Sequence, residues 1–467
     1  MLGDGNGFNM INAIIHDFLC YNKRVERDIP LLIEKSVDSL HLELLHLLAH
    51  QATAVEMPLY LVGGVVRDIL LGRAINDFDL VVEGDTSVLA EFIVKKYGGK
   101  ILVHSRFGTA KWILNESAFK RLNFPVSRFP DFDISFDLVT ARSETYLQPG
   151  ALPNVERSNI DADLRRRDFT INAMALRLDG QHFGELLDPL GGEADLERGL
   201  IRVIHPKSFI DDPTRMYRAI RYGVRYGFQI IQDTLALIPD ARIFIEKLSA
   251  QRIRHELELI LEEENAISML EWLNELDLLK PIHPVLSFDE SASSRMANLH
   301  KFRDLQRISP WNIDRWDGNK HVLGWLLWLL PLSHHEIGAL NLRLQFTADL
   351  LGSLFAASWI FADLSTFASL KPSQCVERLG PYSLDAIEAV YFVARDEKTR
   401  EVFFKYLSEW RHVKPHITGD DLKERGLEPG PKYAKILRRL RAAWLDGEVK
   451  TKEEEMKLLE DLLKDYK

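Results

Sequence analysis

Three consecutive stretches constrain this chain more than any others: LYLVGG (Leu59–Gly64), VVRDILLG (Val65–Gly72) and DFDLVVEG (Asp77–Gly84). A short apolar run ends in paired glycines. A helical pattern closed by Gly72 follows, then a second apolar run with aspartates at alternate positions. The order reads strand, turn, helix, strand. Residues i and i+2 of a strand point to the same side, about 7 Å apart at Cα. Asp77 and Asp79 therefore present two carboxylates to one place, while Phe78 goes to the core. Such hard oxygens suit Mg²⁺, which binds through one or two carboxylates completed by substrate phosphates. A pair of such ions activates an attacking hydroxyl and stabilises a leaving pyrophosphate. Gly63 and Gly64 let the backbone approach a triphosphate closely, and Arg67 on the following helix adds positive charge there. The plainer alternative is an ordinary glycine turn with two aspartates on a solvated edge.

The strand signal continues through KILVHS, TAKWIL and DISFDLVTAR to about Arg142. Upstream, residues 1–55 have helical amphipathic spacing, with Ile33, Val37, Leu40, Leu44 and Leu47 on one side. Residues 143–163 read as irregular, with Pro149, Gly150 and Pro153, and from about 164 the pattern turns helical and stays so. SFDESASS (Ser287–Ser294) reads as a loop-like break. A small α/β segment followed by a long helical remainder predicts an α+β fold. The 467 residues leave room for two to four domains.

Composition narrows the setting. With a net charge of −10, any nucleic-acid surface must be a local basic patch on an acidic body. Cys20 and Cys375 are far apart with no metal-ligand spacing, which speaks against a disulfide framework or a zinc site and fits a reducing cytosol. The N-terminal MLGDGNGFNMINAIIHDF lacks the basic start and long apolar run of a signal peptide. Val322–Leu332 is too short to span a bilayer, contains Pro331, and reads as a buried helix. The expectation is a cytoplasmic protein without membrane partners.

Two further segments carry chemistry. Arg165, Arg166, Arg167 and Asp168 precede an apolar run read as helical. They are either a capped helix start with surface arginines or a cluster for triphosphate and ribose contacts. In DDPTR, Pro213 fits a first helical position and Asp212 its N-cap. Arg215, Arg218 and Arg221 then recur every third residue, a slanting stripe on a helix. One reading of the stripe is an exposed, salt-bridged face.

Four segments in order, LVGGVVRDILLG, NDFDLVVEG, RRRDFTINAMAL (Arg165–Leu176) and SFIDDPTRMYRAIRYGVRYGF (Ser208–Phe228), resemble the successive motifs of the class II tRNA nucleotidyltransferases and bacterial poly(A) polymerases. The resemblance spans about residues 59–262. It implies a polymerase-beta-like head with a mixed β-sheet, followed by an all-α neck, body and tail. The corresponding divisions are an N-terminal helical extension (1–55), head (56–180), neck for nucleotide selection (181–264), body (265–370) and tail (371–467). It further implies that Asp77 and Asp79 bind Mg²⁺. Arg167 would contact the nucleotide, while Asp168 and Asn172 order the site. Asp212 and Arg215 would present a protein-side Watson–Crick edge to the incoming base, helped by Arg218 and Arg221. The chemistry is coherent: a carboxylate accepts from the exocyclic amine of cytosine or adenine, and a guanidinium donates to ring-nitrogen or carbonyl acceptors. Uracil lacks that amine, and guanine carries a carbonyl in its place. The implied partners are CTP, ATP and the 3′ end and acceptor arm of tRNA. The family usually has Glu before the aspartate, whereas this chain has Asp211, a shortening that resembles the single-activity CC-adding or A-adding members. A poly(A) polymerase is the neighbouring alternative. A non-catalytic RNA-binding protein is a third, against which the retention of both Asp77 and Asp79 argues.

Weaker signals remain. Ser143–Val155 resembles the family's flexible loop. Asp137 is either a third active-site carboxylate or a strand residue contacting Arg142. Arg252 and Glu256 have the spacing of a structural helix pair. His334-His335-Glu336 is read as surface or capping residues ahead of a metal site. The helix carrying Lys432, Lys435, Arg438, Arg439 and Arg441, with Tyr433 and Trp444, is a candidate tRNA-backbone contact or a solvated face.

Overall fold

A computed structural model describes residues 27–75, 77–104, 108–124, 134–305 and 320–464. Cys20 and the N-terminal stretch MLGDGNGFNMINAIIHDF lie outside the described residues. The chain forms two compact units, Met1–Asp212 with Gly227–Leu237, and Pro213–Tyr226 with Ile238–Lys467.

The first unit opens with helices α1 (Ile29–Ser36) and α2 (Ser39–Ala54), whose N-termini are capped by Asp28 and Asp38. Ile33, Leu44, Leu45 and Leu48 are fully buried, as an amphipathic stripe requires. The chain then runs β1 (Leu59–Val62), α3 (Gly64–Leu70), β2 (Asp79–Val82), α4 (Thr86–Tyr97), β3 (Lys100–His104), β4 (Thr109–Ile113) and β5 (Ser135–Thr140). With β8 (Ala175–Arg177) and β9 (Glu185–Leu187) further along the chain, these strands form a seven-stranded sheet in the order β3-β4-β5-β2-β1-β8-β9. Only β2 and β5 run parallel among its pairs; the others are antiparallel. All four residues of β1 are buried, as befits a central strand covered on both faces. Trp112 on β4 is fully buried and its indole N–H donates to the Gly98 carbonyl at 3.0 Å, so the aromatic ring fills the core without an unpaired donor.

Three expectations change here. Residues 143–163 are not irregular throughout: β6 (Arg142–Thr145) and β7 (Asn154–Arg157) form a hairpin, followed by α6 (Ile160–Arg165) after the short α5 (Glu116–Arg121) upstream. The chain does not stay helical after 164. Thr170–Asn172 is a single 3-10 turn, and β8 (Ala175–Arg177) and β9 (Glu185–Leu187) complete the sheet. A short apolar run has no decisive period, and pairing of β8 with β1 settles the matter. Asp168 is accordingly no helix cap: its Oδ1 accepts from its neighbour's backbone, Phe169 N–H, at 2.8 Å. Gly227–Leu237 joins this unit because Gln229–Ile230 pairs with Leu200–Ile201.

In the second unit the described residues are overwhelmingly helical. The apolar stretch at Val322 lies in the helix Lys320–Leu329, where every residue from Leu323 to Leu329 is buried. Trp325 and Trp328 stack at 5.3 Å, and the Trp328 indole donates to the Ser287 carbonyl at 2.8 Å. The break at Ser287–Ser294 is shorter than expected, since a helix starts at Glu290 with the Asp289 carboxylate accepting from Ala292 N–H. Ser333 and Glu336 form a capping box, and His334 meets the Phe355 carbonyl, which bears out the capping reading of that cluster. Cys375 is buried, and burial pushes its thiol up to about 11, leaving it unreactive. Among the described residues no helix is long and apolar enough to cross a membrane.

Candidate active site

The site starts at the end of β1. Gly63 has φ 75° and ψ −132°, and a Cβ built there would stand 2.4 Å from Arg167 Nη1. Both the backbone conformation and the space demand glycine. Gly64 has ordinary φ, and its nearest neighbour would be the guanidinium of Arg67 at 3.2 Å. Gly63→Ala is expected to cost about 1–3 kcal/mol in backbone strain and to displace Arg167 as well. Gly64→Ala should be much milder. Urea denaturation and the KM for nucleotide, measured on both variants, check the contrast.

Arg67 sits deeper than a phosphate contact on the helix surface would. It is buried, with Nε and Nη2 donating to Asp68 at 3.0 and 2.9 Å and Nη1 to Asn172 Oδ1 at 2.6 Å. Asn172 in turn donates from Nδ2 to Asp168 Oδ1 at 3.0 Å. This run of buried, bonded groups ties α3 to the segment after α6 and braces the glycine turn.

The arginine cluster sorts itself by partner. Arg165 pairs with Asp161 at the surface. Arg166 donates to Asp163 Oδ1 at 2.8 Å and to Glu144 Oε1 at 3.0 Å, and Glu144 also holds Arg142 at 3.0 Å. Arg167 donates to Asp163 Oδ2 at 3.0 Å, which sets its guanidinium over Gly63. Asp163 has no exposed surface. Burial pushes its carboxyl up, but Arg167 and Arg166 outweigh that and hold it below the ordinary aspartate value. Asp163 and Glu144 were missed in the sequence. Asp163 had a signal there, since it stands three and four residues before Arg166 and Arg167, the spacing of helical ion pairs.

Asp77 and Asp79 are both exposed, and Phe78 between them is buried against His41 and Phe136. Asp77 precedes β2 and Asp79 begins it. Directly across the parallel ladder from Asp79 stands Asp137, whose carboxylate meets Lys111 Nζ at 3.0 Å. Arg142 pairs with Glu144, so the cation beside Asp137 is Lys111 and not the expected Arg142. The Asp79 carboxyl is pushed above its ordinary value by partial burial; Arg167 pulls it down, and Asp77, Asp137 and Asp163 push it further up. Crowding of like charge on oxygen ligands is what a bound hard cation relieves, so Asp77 and Asp79 are the residues that could hold one. Among the described residues no set of three or more His, Cys, Asp or Glu side chains is gathered as a metal cage, and substrate phosphates would have to complete the coordination.

The neck segment divides between the units. Asp212 is extended, at φ −136° and ψ 94°, and the helix Thr214–Tyr226 begins two residues later, one residue after the expected start at Pro213. Arg215 and Arg221 are buried, which rules out an exposed face for the stripe. Within the second unit Arg221 lies 3.6 Å from Glu256 and 4.0 Å from Glu263. Its charge thus serves to join this helix to Ala250–Glu262. Arg218 donates to the Tyr222 hydroxyl at 3.3 Å.

On the helix Pro431–Leu445, Ile436, Leu440 and Ala443 are buried and Lys435, Arg438 and Arg439 are exposed. Arg439 meets Glu448 at 2.7 Å and Arg438 meets Glu377 at 3.9 Å, exposed pairs weak enough to exchange for phosphates. Arg441 donates to the carbonyls of Val413 and Arg411, which gives it a structural task.

Comparison with known proteins gives the family of the chain. Residues 59–202 match the family model described as the poly A polymerase head domain, and residues 227–289 match one described as a probable RNA and SrmB-binding site of polymerase A. The chain is 31% identical to an A-adding tRNA nucleotidyltransferase of Halalkalibacterium halodurans, over 91% of this chain and 93% of the relative. It is 34% identical to an A-adding tRNA nucleotidyltransferase of Geobacter sulfurreducens, over 86% of this chain, and spans 45% of that longer protein. A solved structure of a CCA-adding enzyme without ligand aligns with TM-score 0.76 and 31% identity, over 94% of this chain and 99% of the other.

Proposed function

We propose, because this chain belongs to the class II tRNA nucleotidyltransferase family, that it is a template-independent enzyme extending the 3′ end of tRNA, with addition of the terminal A from ATP as its main activity. The observation that carries the transfer chemistry is the pairing of exposed Asp77 and Asp79 with an Arg167 guanidinium set over Gly63. The A-adding reading is supported by the two A-adding relatives and by Asp211, the shorter acid before Asp212. Full CCA addition is the second reading, favoured by the likeness to a CCA-adding enzyme over nearly the whole chain. The functional divisions into head, neck, body and tail keep the boundaries given above.

Asp77 and Asp79 would hold Mg²⁺, which when bound activates the tRNA 3′-hydroxyl and neutralises charge on the leaving pyrophosphate. The chain's own residues do the rest. Gly63 leaves room for the Arg167 guanidinium, and its backbone can approach the triphosphate. Arg167 offers it a fixed positive charge, held by Asp163. Arg67, Asn172 and Asp168 keep the turn in place. Asp212 and Arg215 read the base edge, and Arg218 assists. Lys435, Arg438 and Arg439 meet the tRNA backbone.

The test supplies purified protein and Mg²⁺ with tRNA lacking its end, tRNA ending in C and tRNA ending in CC, and CTP, ATP, GTP or UTP singly or CTP with ATP. A onto the CC end alone is the expected result. Extension of the shorter acceptors with CTP would move the assignment to full CCA addition, and no incorporation anywhere would overturn the enzyme reading. Asp212→Ala and Arg215→Ala are each expected to lose about 1–3 kcal/mol of discrimination against UTP and GTP, read as ratios of kcat/KM. For the tail, an Arg438→Ala/Arg439→Ala variant should show a shallower salt dependence of tRNA binding. The slope should fall by about one for each phosphate that these arginines neutralise. An unchanged slope removes both from the footprint.

A further inference from the structure

The register of the sheet sets a row of side chains beside the paired aspartates. Asp79 on β2 is opposite Asp137 on β5, Asp137 is opposite Lys111 on β4, and Lys111 is opposite Leu102 on β3. Residues directly opposite on neighbouring strands, about 4.8 Å apart, project to the same face. Asp137 is therefore the carboxylate next to Asp79, and Lys111 lies on its far side with Nζ 3.0 Å from Oδ2. Both side chains keep substantial solvent exposure, 53% for Asp137 and 39% for Lys111. Arg142, the other cation near this strand end, is committed to Glu144.

We propose that Lys111 is a positioning residue that holds Asp137 at the edge of the cation site and so weakens the grip of that site on a divalent ion. The inference rests on the reading that Asp77 and Asp79 hold the ion. Two effects act in one direction. The ammonium cancels much of the charge that Asp137 would lend to an ion at Asp79. It also keeps one Asp137 oxygen turned along the row toward β4. A lysine suits this task better than an arginine, since its point charge on a flexible stem lets the carboxylate go, whereas a planar fork would clamp both oxygens. An exposed pair of this kind is easily broken. The site is thus tuned for an ion that arrives with each nucleotide and leaves with pyrophosphate.

Binding of Mn²⁺ to the full-length protein without nucleotide, followed by the loss of the free-ion electron paramagnetic resonance signal, tests this directly. Lys111→Met is expected to tighten the Kd about three- to tenfold, the scale of one exposed charge acting across water. Asp137→Asn should weaken it, and the double variant should match Asp137→Asn alone, because Lys111 acts through Asp137. Lys111→Gln, which keeps a polar group, serves as a second neutral variant, and Lys111→Arg should bind no more tightly than the wild type. An unchanged Kd in both neutral variants, or additive effects in the double variant, overturns the proposal. Asp79→Asn separates the two layers: if it leaves Mn²⁺ binding intact, the cation site itself is misassigned.

Discussion

Asp79→Asn should lower the rate of nucleotide addition by about 10³-fold or more while leaving tRNA affinity within about twofold. The substitution keeps size and shape but removes one of the two charges proposed to hold the ion, and an amide oxygen is a far weaker ligand for a hard divalent cation. Asp79 is exposed at the start of β2, and the strand behind it is anchored by buried Leu80, Val81 and Val82, so the fold has little at stake. Relief of charge crowding with Asp77, Asp137 and Asp163 should even leave the unliganded protein at least as stable. Single-turnover rates, a tRNA gel shift and a thermal melt together check the prediction. A large loss of stability or of tRNA binding would show that Asp79 has a structural task.

Asp163→Ala should behave in the opposite way and cost about 3–5 kcal/mol of stability, because it removes the buried carboxylate that Arg166 and Arg167 share, leaving Arg166 to Glu144 and Arg167 without its anchor. Arg166 and Arg167 both end on this one carboxylate, and Arg167 owes its place over Gly63 to it. Activity should fall with stability, chiefly through a raised KM for nucleotide, since the triphosphate loses a fixed charge. The pH dependence follows from the depressed folded-state value. The carboxylate is more acidic in the folded than in the unfolded chain, so its stabilisation is complete above the unfolded aspartate value. It is lost as pH falls through the lower, folded value. Wild-type stability should therefore decline more steeply on acidification than that of Asp163→Ala. Urea titrations across the acid range measure the difference, and parallel declines would remove Asp163 as the anchor.

The fold and the site were legible to different depths. Strand β1, the glycine turn, α3 and β2 could be read directly, because each signal lies within a few adjacent residues: an apolar run, a demand for positive φ, a period of two. The same holds for the buried helix at Val322 and the cap at Ser333. The arginine cluster was legible as charge but not as roles. Its three members differ only in which carboxylate they meet, and Glu144 reaches Arg166 from a hairpin read as irregular. Arg221 looked like its neighbours in the stripe, yet Glu256 and Glu263 engage it from another helix.

By itself, then, the sequence determined the paired aspartates with Phe78 turned inward, the glycine at position 63 and the helix Thr214–Tyr226, since alternation, backbone freedom and helical spacing are local properties. The all-α neck expected over 181–264 is interrupted by the strands Glu185–Leu187, Leu200–Ile201 and Gln229–Ile230, which long-range pairing decides. Only the tertiary structure decided that β8 and β9 close the sheet, that Asp137 and Lys111 line up beside Asp79, and that Arg167 lies over the glycine turn while Arg67 is drawn beneath it. Strand register and side-chain pairing across long stretches of chain depend on which surfaces bury one another, and no run of neighbouring residues carries that information.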